Sequence, residues 1–492
     1  MCKHSRRVVS GLSACLVLGV LGGCGDDGSS EGSASASGVS ASNGDAETGD
    51  GNDSNTTTPG DGDGDTNTTT PGDGDGDTNT TTPGDGDGDP GDGDPGDGDE
   101  GGVKFDVAGI PDTELDCQCG TTLDFSYIWI ANSTQSTVSK LNTETMEEEG
   151  RFLTRADANG SPSRTSVALS GRAVAVANRN GGVVKVFSQH EDCDEMKNGV
   201  PGLQTSTDMN YLPWGEDDCV DWFVPFDYTT QRPVAWAPGI LNQGTCIYTN
   251  EDLWTAGCKP GTHTWVQVSL IDGDTGEIEF TVEVPGFECS SLSPYGGAVN
   301  AEGHFWFTNL VPGQDRLGFV NRETQETQVI NMPITPYGMT VDHDGNPWIA
   351  SWASSQNASA AKYDVQTQTW SYANNHVAYS LSGIQEDAEG RMWMNYWQYD
   401  GQNLGTGGLV YIDMETMEVS EPFDLGCQSS TCRGMSVDLN GMVWSTSMAS
   451  NTAFRFNPDT LQVDTYNQLV GPYTYSDMTG WGIQSATCGP QG

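Results

Sequence analysis

Basic side chains are scarce. The 492 residues hold 20 Lys and Arg against 69 Asp and Glu, a formal charge of −49. Recognition of a phosphate backbone needs a basic patch, so this balance excludes a nucleic-acid binder. Long apolar runs are missing too, and no stretch after residue 21 is apolar enough to cross a membrane as a helix. Between Val39 and Val103 the only apolar residues are Ala41 and Ala46, so no core can form there. Histidine is limited to six residues, and neither a Ser-His-Asp order nor an HExxH motif is recognisable.

What is present begins with an address. Lys3, Arg6 and Arg7 precede an apolar run over 8–21, which is short and rich in Gly and Ser. The run ends in Leu21-Gly22-Gly23-Cys24, which resembles the lipobox of bacterial lipoproteins. That resemblance implies cleavage after residue 23 and acylation of Cys24, giving a chain anchored to the membrane rather than spanning it. Gly25 is not the Asp often linked to inner-membrane retention, so an outer-membrane or cell-surface destination is expected, with the periplasmic face as the alternative.

Residues 24–102 read as a lipidated N-terminus followed by a disordered stalk. Residues 25–102 hold 21 acids and no Lys or Arg, leaving 48 acids and 17 bases, net −31, for residues 103–492. The unit DGDGDTNTTTPG occurs at 61–72 and again at 73–84, then decays into GDP and GDG units. Self-repelling Asp and interspersed Pro predict an extended spacer. Asp at alternate positions resembles half of an EF-hand loop, but the apolar pin and closing Glu are missing, which argues against specific calcium sites.

From Phe125 onward the chain repeats. An apolar residue, Asn or Asp, two variable residues and Thr recur at Asn142–Thr145, Asp272–Thr275, Asn321–Thr324, Asp364–Thr367, Asp413–Thr416 and Asn457–Thr460. Successive Thr are 130, 49, 43, 49 and 44 residues apart. Flanking alternation marks each as a hairpin turn whose Asn or Asp bonds its own backbone. Upstream lies a second pattern: Gly, apolar residues alternating, an acid or Asn, and a turn ending in Gly. It occurs at Gly338–Gly345, Gly383–Gly390 and Gly434–Gly441, with a looser copy at Gly296–Gly303. A strand led by Trp306, Trp348, Trp393 or Trp444 follows each copy, and Trp129, Ala175 and Trp254 hold the same place earlier.

Seven such units of four short strands predict an all-β fold, a seven-bladed β-propeller over 103–492 with an insertion near 189–220. The first unit lacks an inner strand, and Trp481-Gly482-Ile483-Gln484 is left over at the end. The C-terminus is therefore expected to complete the first blade and remove the open edges.

Cys117, Cys119, Cys193, Cys219, Cys246, Cys258, Cys289, Cys427, Cys432 and Cys488 remain after the leader and Cys24, an even count suited to disulfides in an exported chain. Cys427/Cys432 suit a loop clip, Cys193/Cys219 the insertion and Cys246/Cys258 a long hairpin. Pairing of Cys488 with Cys117 or Cys119 would lock the ring.

Propeller ligands sit over the central funnel, at the starts of the inner strands. Those positions are Arg164, Arg232, Tyr295, Tyr337, Arg433 and Trp481, whose flat rings and guanidinium forks suit a planar or anionic ligand. The alternative is that they simply fill the channel. PYGMTVDHDGNPWIAS and CRGMSVDLNGMVWSTS resemble the virginiamycin B lyase and NHL-type propellers, over about residues 124–487. The resemblance implies a carbon–oxygen lyase that opens a cyclic peptide lactone, with a divalent metal such as Mg and a His base before the inner-strand Gly. Here those positions are Tyr295, Tyr337, Ser382 and Arg433, leaving His376 and Glu386 as the lyase candidates. The favoured expectation is a lipid-anchored binding module for a peptide, glycan or protein, with a lyase or a structural envelope protein as the alternatives. An open Arg/Tyr funnel would favour binding, a His–Glu–metal cluster the enzyme, and a plugged channel the structural role.

Overall fold

The computed structural model describes residues 117, 119 and 126–489, except 312, 353–357, 374–378, 400–403 and 428–431. The expectations for Cys24, the leader and the stalk lie outside the described residues. No helix among the described residues is long and apolar enough to cross a membrane.

The repeats fold as seven antiparallel sheets in sequence order, a seven-bladed β-propeller. Blade one holds β1 (Tyr127–Asn132), β2 (Thr137–Asn142) and β3 (Glu148–Leu153). Blade two holds β4 (Pro162–Val167), β5 (Ala173–Asn178), β6 (Val183–Phe187) and β7 (Val220–Val224). Blade three runs β8 (Thr230–Trp236), β11 (Asp252–Cys258), β12 (Trp265–Asp272) and β13 (Ile278–Pro285), with a small hairpin of β9 (Ile240–Asn242) and β10 (Ile247–Thr249) inserted after β8. Blade four is β14 (Gly297–Val299), β15 (Phe305–Thr308), β16 (Arg316–Val320) and β17 (Thr327–Asn331). Blade five is β18 (Pro336–Val341), β19 (Pro347–Ser351), β20 (Ala360–Asp364) and β21 (Thr369–Ala373). Blade six is β22 (Tyr379–Glu386), β23 (Arg391–Tyr399), β24 (Leu404–Asp413) and β25 (Phe423–Cys427). Blade seven is β26 (Cys432–Val437), β27 (Val443–Ser447), β28 (Thr452–Phe456) and β29 (Val463–Tyr466), and a helix α1 (Trp481–Cys488) follows.

The repeat anchors explain this order. Ala175, Trp254, Trp306, Trp348, Trp393 and Trp444 fall on the second strand of their blade, and Trp129, on β1, holds the same place once residues 472–478 take the inner edge of blade one. Large rings there pack one blade against the next: Trp254 stacks on Phe305 at 5.5 Å, and Trp393 meets Phe456 at 5.9 Å. The acid of the second repeat has a defined task. Asp342, Asp387 and Asp438 accept the N–H groups of their own turn and the indole N–H of Trp348, Trp393 and Trp444, at 2.8, 2.6 and 2.7 Å. In the hairpin turns the Oδ1 of Asn142, Asp272, Asn321, Asp364, Asp413 and Asn457 accepts the next two turn N–H groups, as the spacing predicts.

Ring closure needs a correction of register. The inner edge of blade one is taken by residues 472–478, where Tyr473 N–H donates to Ala131 and the Met478 carbonyl accepts from Trp129. The expected strand, Trp481–Gln484, is instead the start of α1. With the inner place already filled, the chain turns at Gly480 (φ 86°), and Asp477 takes the N–H groups of Gly480 and Ile483 at the helix start. Further connections join the outer parts of the first and last blades: Tyr466 donates to Glu148, Arg151 to the carbonyl of Gln468, and Arg455 to the carbonyls of Thr143 and Glu144.

The disulfides are Cys117–Cys246, Cys119–Cys488, Cys193–Cys219, Cys258–Cys289 and Cys427–Cys432. The loop clip, the insertion clip and the link from Cys488 to Cys119 match expectation. The Cys246/Cys258 pair does not form, because the extended β11 carries Cys258 to its far end while Cys246 stays in the β9–β10 turn.

Candidate functional site

Inner strands β4, β8, β18 and β26 begin at one end of the central axis, and there the sequence's Arg and Tyr candidates meet. Arg164 lies over the rings of Tyr295 and Tyr475 at 4.7 and 4.2 Å, and donates through Nε to the Tyr295 carbonyl. Arg232 lies over Tyr295 at 5.1 Å and donates to the Ser291 carbonyl. Arg433 donates through Nη1 to the Tyr337 hydroxyl at 3.0 Å. The hydroxyls form a chain: Tyr295 to Tyr473 at 2.8 Å, Tyr473 to Tyr337 at 2.9 Å, and Tyr337 to Tyr475 at 2.5 Å. Arg164, Tyr295, Tyr337, Tyr473 and Tyr475 are each no more than 2% exposed, so this layer fills the axis. Burial pushes Tyr295 up to about 12 and Tyr337 and Tyr475 well above the usual phenol value, so all three stay neutral.

Trp481 does not join them. It sits at the opposite end of the axis, where its indole donates to the Glu386 carbonyl and α1 packs against the ends of β18, β22 and β26. Between the two ends lies a cavity of about 30 Å³ lined by Ser166, Val234, Met339, Ile384, Asp477 and Ile483. Sequence reading missed Tyr473, Tyr475, Arg179 and Trp352. Arg179 lies over Tyr473 at 4.2 Å, and Trp352 stacks on Tyr337 at 4.4 Å. The signal for the two tyrosines was Pro472-Tyr-Thr-Tyr: at i and i+2 they share one face once that segment is the closing strand.

Of the lyase candidates, His376 lies outside the described residues. Glu386 is buried and accepts from the Nδ1 and backbone N–H of His343, with Ser485 Oγ donating at 3.2 Å. Burial raises the Glu386 carboxyl. For His343 burial alone would lower the imidazole, but Glu386, then Asp344 and Asp342, outweigh it and raise it. This pair belongs to the α1 end, where it fastens the helix to the β18 and β22 turns. Asp252, Asp272 and Glu279 come close enough to share a cation, yet Arg322 already pairs with Asp252. A separate cleft of about 450 Å³ between blades two and three holds Lys185, Asp221, Tyr248 and Glu251. Burial pushes Glu251 up to about 7.

The insertion between β6 and β7 is tightly organised. Buried Asp218 accepts from the N–H groups of Asn198 and Gln204, and Asp217 from Ser206 and Cys219. Trp214 folds inward against Phe223 at 5.6 Å. Met196, Val200, Met209 and Tyr211 point outward instead, and are 58, 53, 44 and 40% exposed.

No family model and no curated protein sequence matches the chain. Among solved structures, it is similar to virginiamycin B lyase from Staphylococcus aureus, with 12% identity, 66% of this chain and 92% of that one covered, and a TM-score of 0.44. A protein from Lactobacillus plantarum gives 11% identity, 71% and 98% coverage, and a TM-score of 0.47. Apo AztD from Citrobacter koseri gives 11%, 71% and 97%, and 0.42. The propeller architecture itself stands on the strand order described above.

Proposed function

We propose that the chain is an exported, lipid-anchored binding module whose propeller presents the 189–219 insertion to a protein or peptide partner. One observation carries this reading: of the eight large hydrophobic side chains exposed among the described residues, four lie in that single loop. Clustered exposed apolar residues mark interaction surfaces. The loop is also held in advance by Cys193–Cys219, by Asp217 and Asp218, and by the Arg172–Asp192 and Lys140–Ser188 contacts to its base. Holding it in advance lowers the ordering cost of binding.

The filled axis takes the binding reading off the funnel and onto this loop, and it is also what the structural envelope alternative expects; the metal-dependent lyase is the weaker alternative. Its metal would sit over the funnel, and here that end of the axis carries Arg164 and Arg232, whose charges repel a divalent cation. To test the binding reading, the full chain would carry a photo-crosslinking residue at 211 or, as control, at exposed Tyr372. A discrete adduct from 211 alone, lost on Met196→Ser with Met209→Ser, is the expected result, and identical adducts from both sites would sink it. Magnesium-dependent opening of a cyclic peptide lactone by the same preparation would restore the lyase.

A further inference from the structure

Three guanidinium groups stand together on blades two and three. Arg164 is on β4, Arg179 follows β5, and Arg232 is on β8. Arg164 and Arg232 are 1 and 6% exposed, and Arg179 is partly exposed as a residue but has its Nε enclosed. Their known partners are neutral: the carbonyls of Ser163, Tyr295 and Ser291, the Ser161 hydroxyl, and the faces of Tyr295, Tyr473 and Tyr475. No carboxylate lies within ion-pair distance of any of the three among the described residues. Arg164 Nη2, Arg179 Nε, Arg232 Nε and Nη1, and the neighbouring Ser163 Oγ are buried donors with no partner there.

This arrangement is incomplete as it stands. A guanidinium does not shed its proton, so the cluster carries three positive charges. Buried cations are normally paired, and each unmet buried N–H is costly in its own right. Tyr295, Tyr337 and Tyr475 cannot supply the missing charge, since burial keeps them protonated. Burial first, and then the charges of Arg232 and Arg164, lowers Arg179 below the ordinary arginine value, which registers the mutual repulsion. The cavity beside Arg164, about 10 Å³, is lined by Tyr337 and Tyr475 and not by Arg179, Arg232 or Ser163, so an anion has to settle among the guanidinium groups themselves.

We propose that Arg164, Arg179 and Arg232, with Ser163, form a binding site for one small monovalent anion, either a halide ion or the carboxylate of a ligand reaching in past Arg179. The site is selective by construction, because a chain of charge −49 otherwise repels anions. It stands whether or not the insertion binds a partner.

The test uses the purified full chain at constant ionic strength in sodium gluconate, titrated separately with bromide and with acetate while the unfolding temperature is followed. A saturable rise of several degrees with bromide, together with a bromide anomalous peak among the three guanidinium groups, identifies a resident halide. A saturable rise with acetate alone identifies a ligand carboxylate. Arg232→Gln should abolish the response while leaving the anion-free protein as stable as before or more so, because an unpaired buried charge is removed. If that variant does not fold, Arg179→Gln should weaken the response at least about tenfold, as loss of a charge-assisted hydrogen bond implies. No saturable response to either anion and no anomalous peak would overturn the proposal, as would an unchanged response in the variants.

Discussion

Six hairpin turns share one backbone demand at their fifth residue. Met146, Gly276, Gln325, Gln368, Met417 and Leu461 all have φ between 57° and 75°, a left-handed conformation that only Gly276 meets without a Cβ penalty. Gln325→Gly should therefore stabilise the domain by about 0.5–1 kcal/mol, seen as a higher urea midpoint at unchanged slope. Glu251 is the titration to follow. Its folded value, about 7, lies above the unfolded 4.5, so the native state holds the proton more tightly. Stability is then complete below the unfolded value and declines as pH rises through the folded one, a loss of roughly 3 kcal/mol. Urea midpoints at pH 5 and pH 8 should show that fall, and Glu251→Gln should flatten it and exceed the parent at pH 8. Glu251 gave no sign in the sequence, since its burial comes from the β9–β10 hairpin folding beside blade two.

Within a blade, the joint between the first and second strands rests on one carboxylate. Asp438 accepts from Asn440, Met442 and the Trp444 indole, and Trp444 is fully buried. Asp438→Ala leaves those donors unmet and should cost roughly 3 kcal/mol by urea denaturation. Combining it with Trp444→Phe should cost clearly less than the sum of the two, because both remove the same bond. Blade count, second-strand anchors and turn chemistry were legible because each is a local pattern repeated many times. Arg164, Arg232, Tyr295, Tyr337 and Arg433 were legible for the same reason, as each opens an inner strand. Arg179 escaped because it lies just past a second strand, where no repeat marks an axial position. The partners of Cys246 and Cys258 were hidden because strand direction, rather than spacing along the chain, decides which thiols meet.

Closure of the ring is where local pattern stopped being enough. The leftover Gly-apolar segment at Trp481 looked like the missing strand, but the aromatic stretch before it pairs with β1 and displaces it into α1. Cys119–Cys488 then ties the start of the described domain to that helix across 369 residues. Cys488→Ser should lower stability by about 2–4 kcal/mol, Cys119→Ser should match it, and the double variant should cost no more than either. Calorimetry under oxidising conditions checks all three. The same bond, with Cys117–Cys246, sets a load path. A pull arriving from the N-terminal side passes through these two crosslinks into the blade-three hairpin and the C-terminal helix before it reaches β1. Blade one is thus spared from being unzipped strand by strand, and tension is shared between the blade-three hairpin and the C-terminal helix.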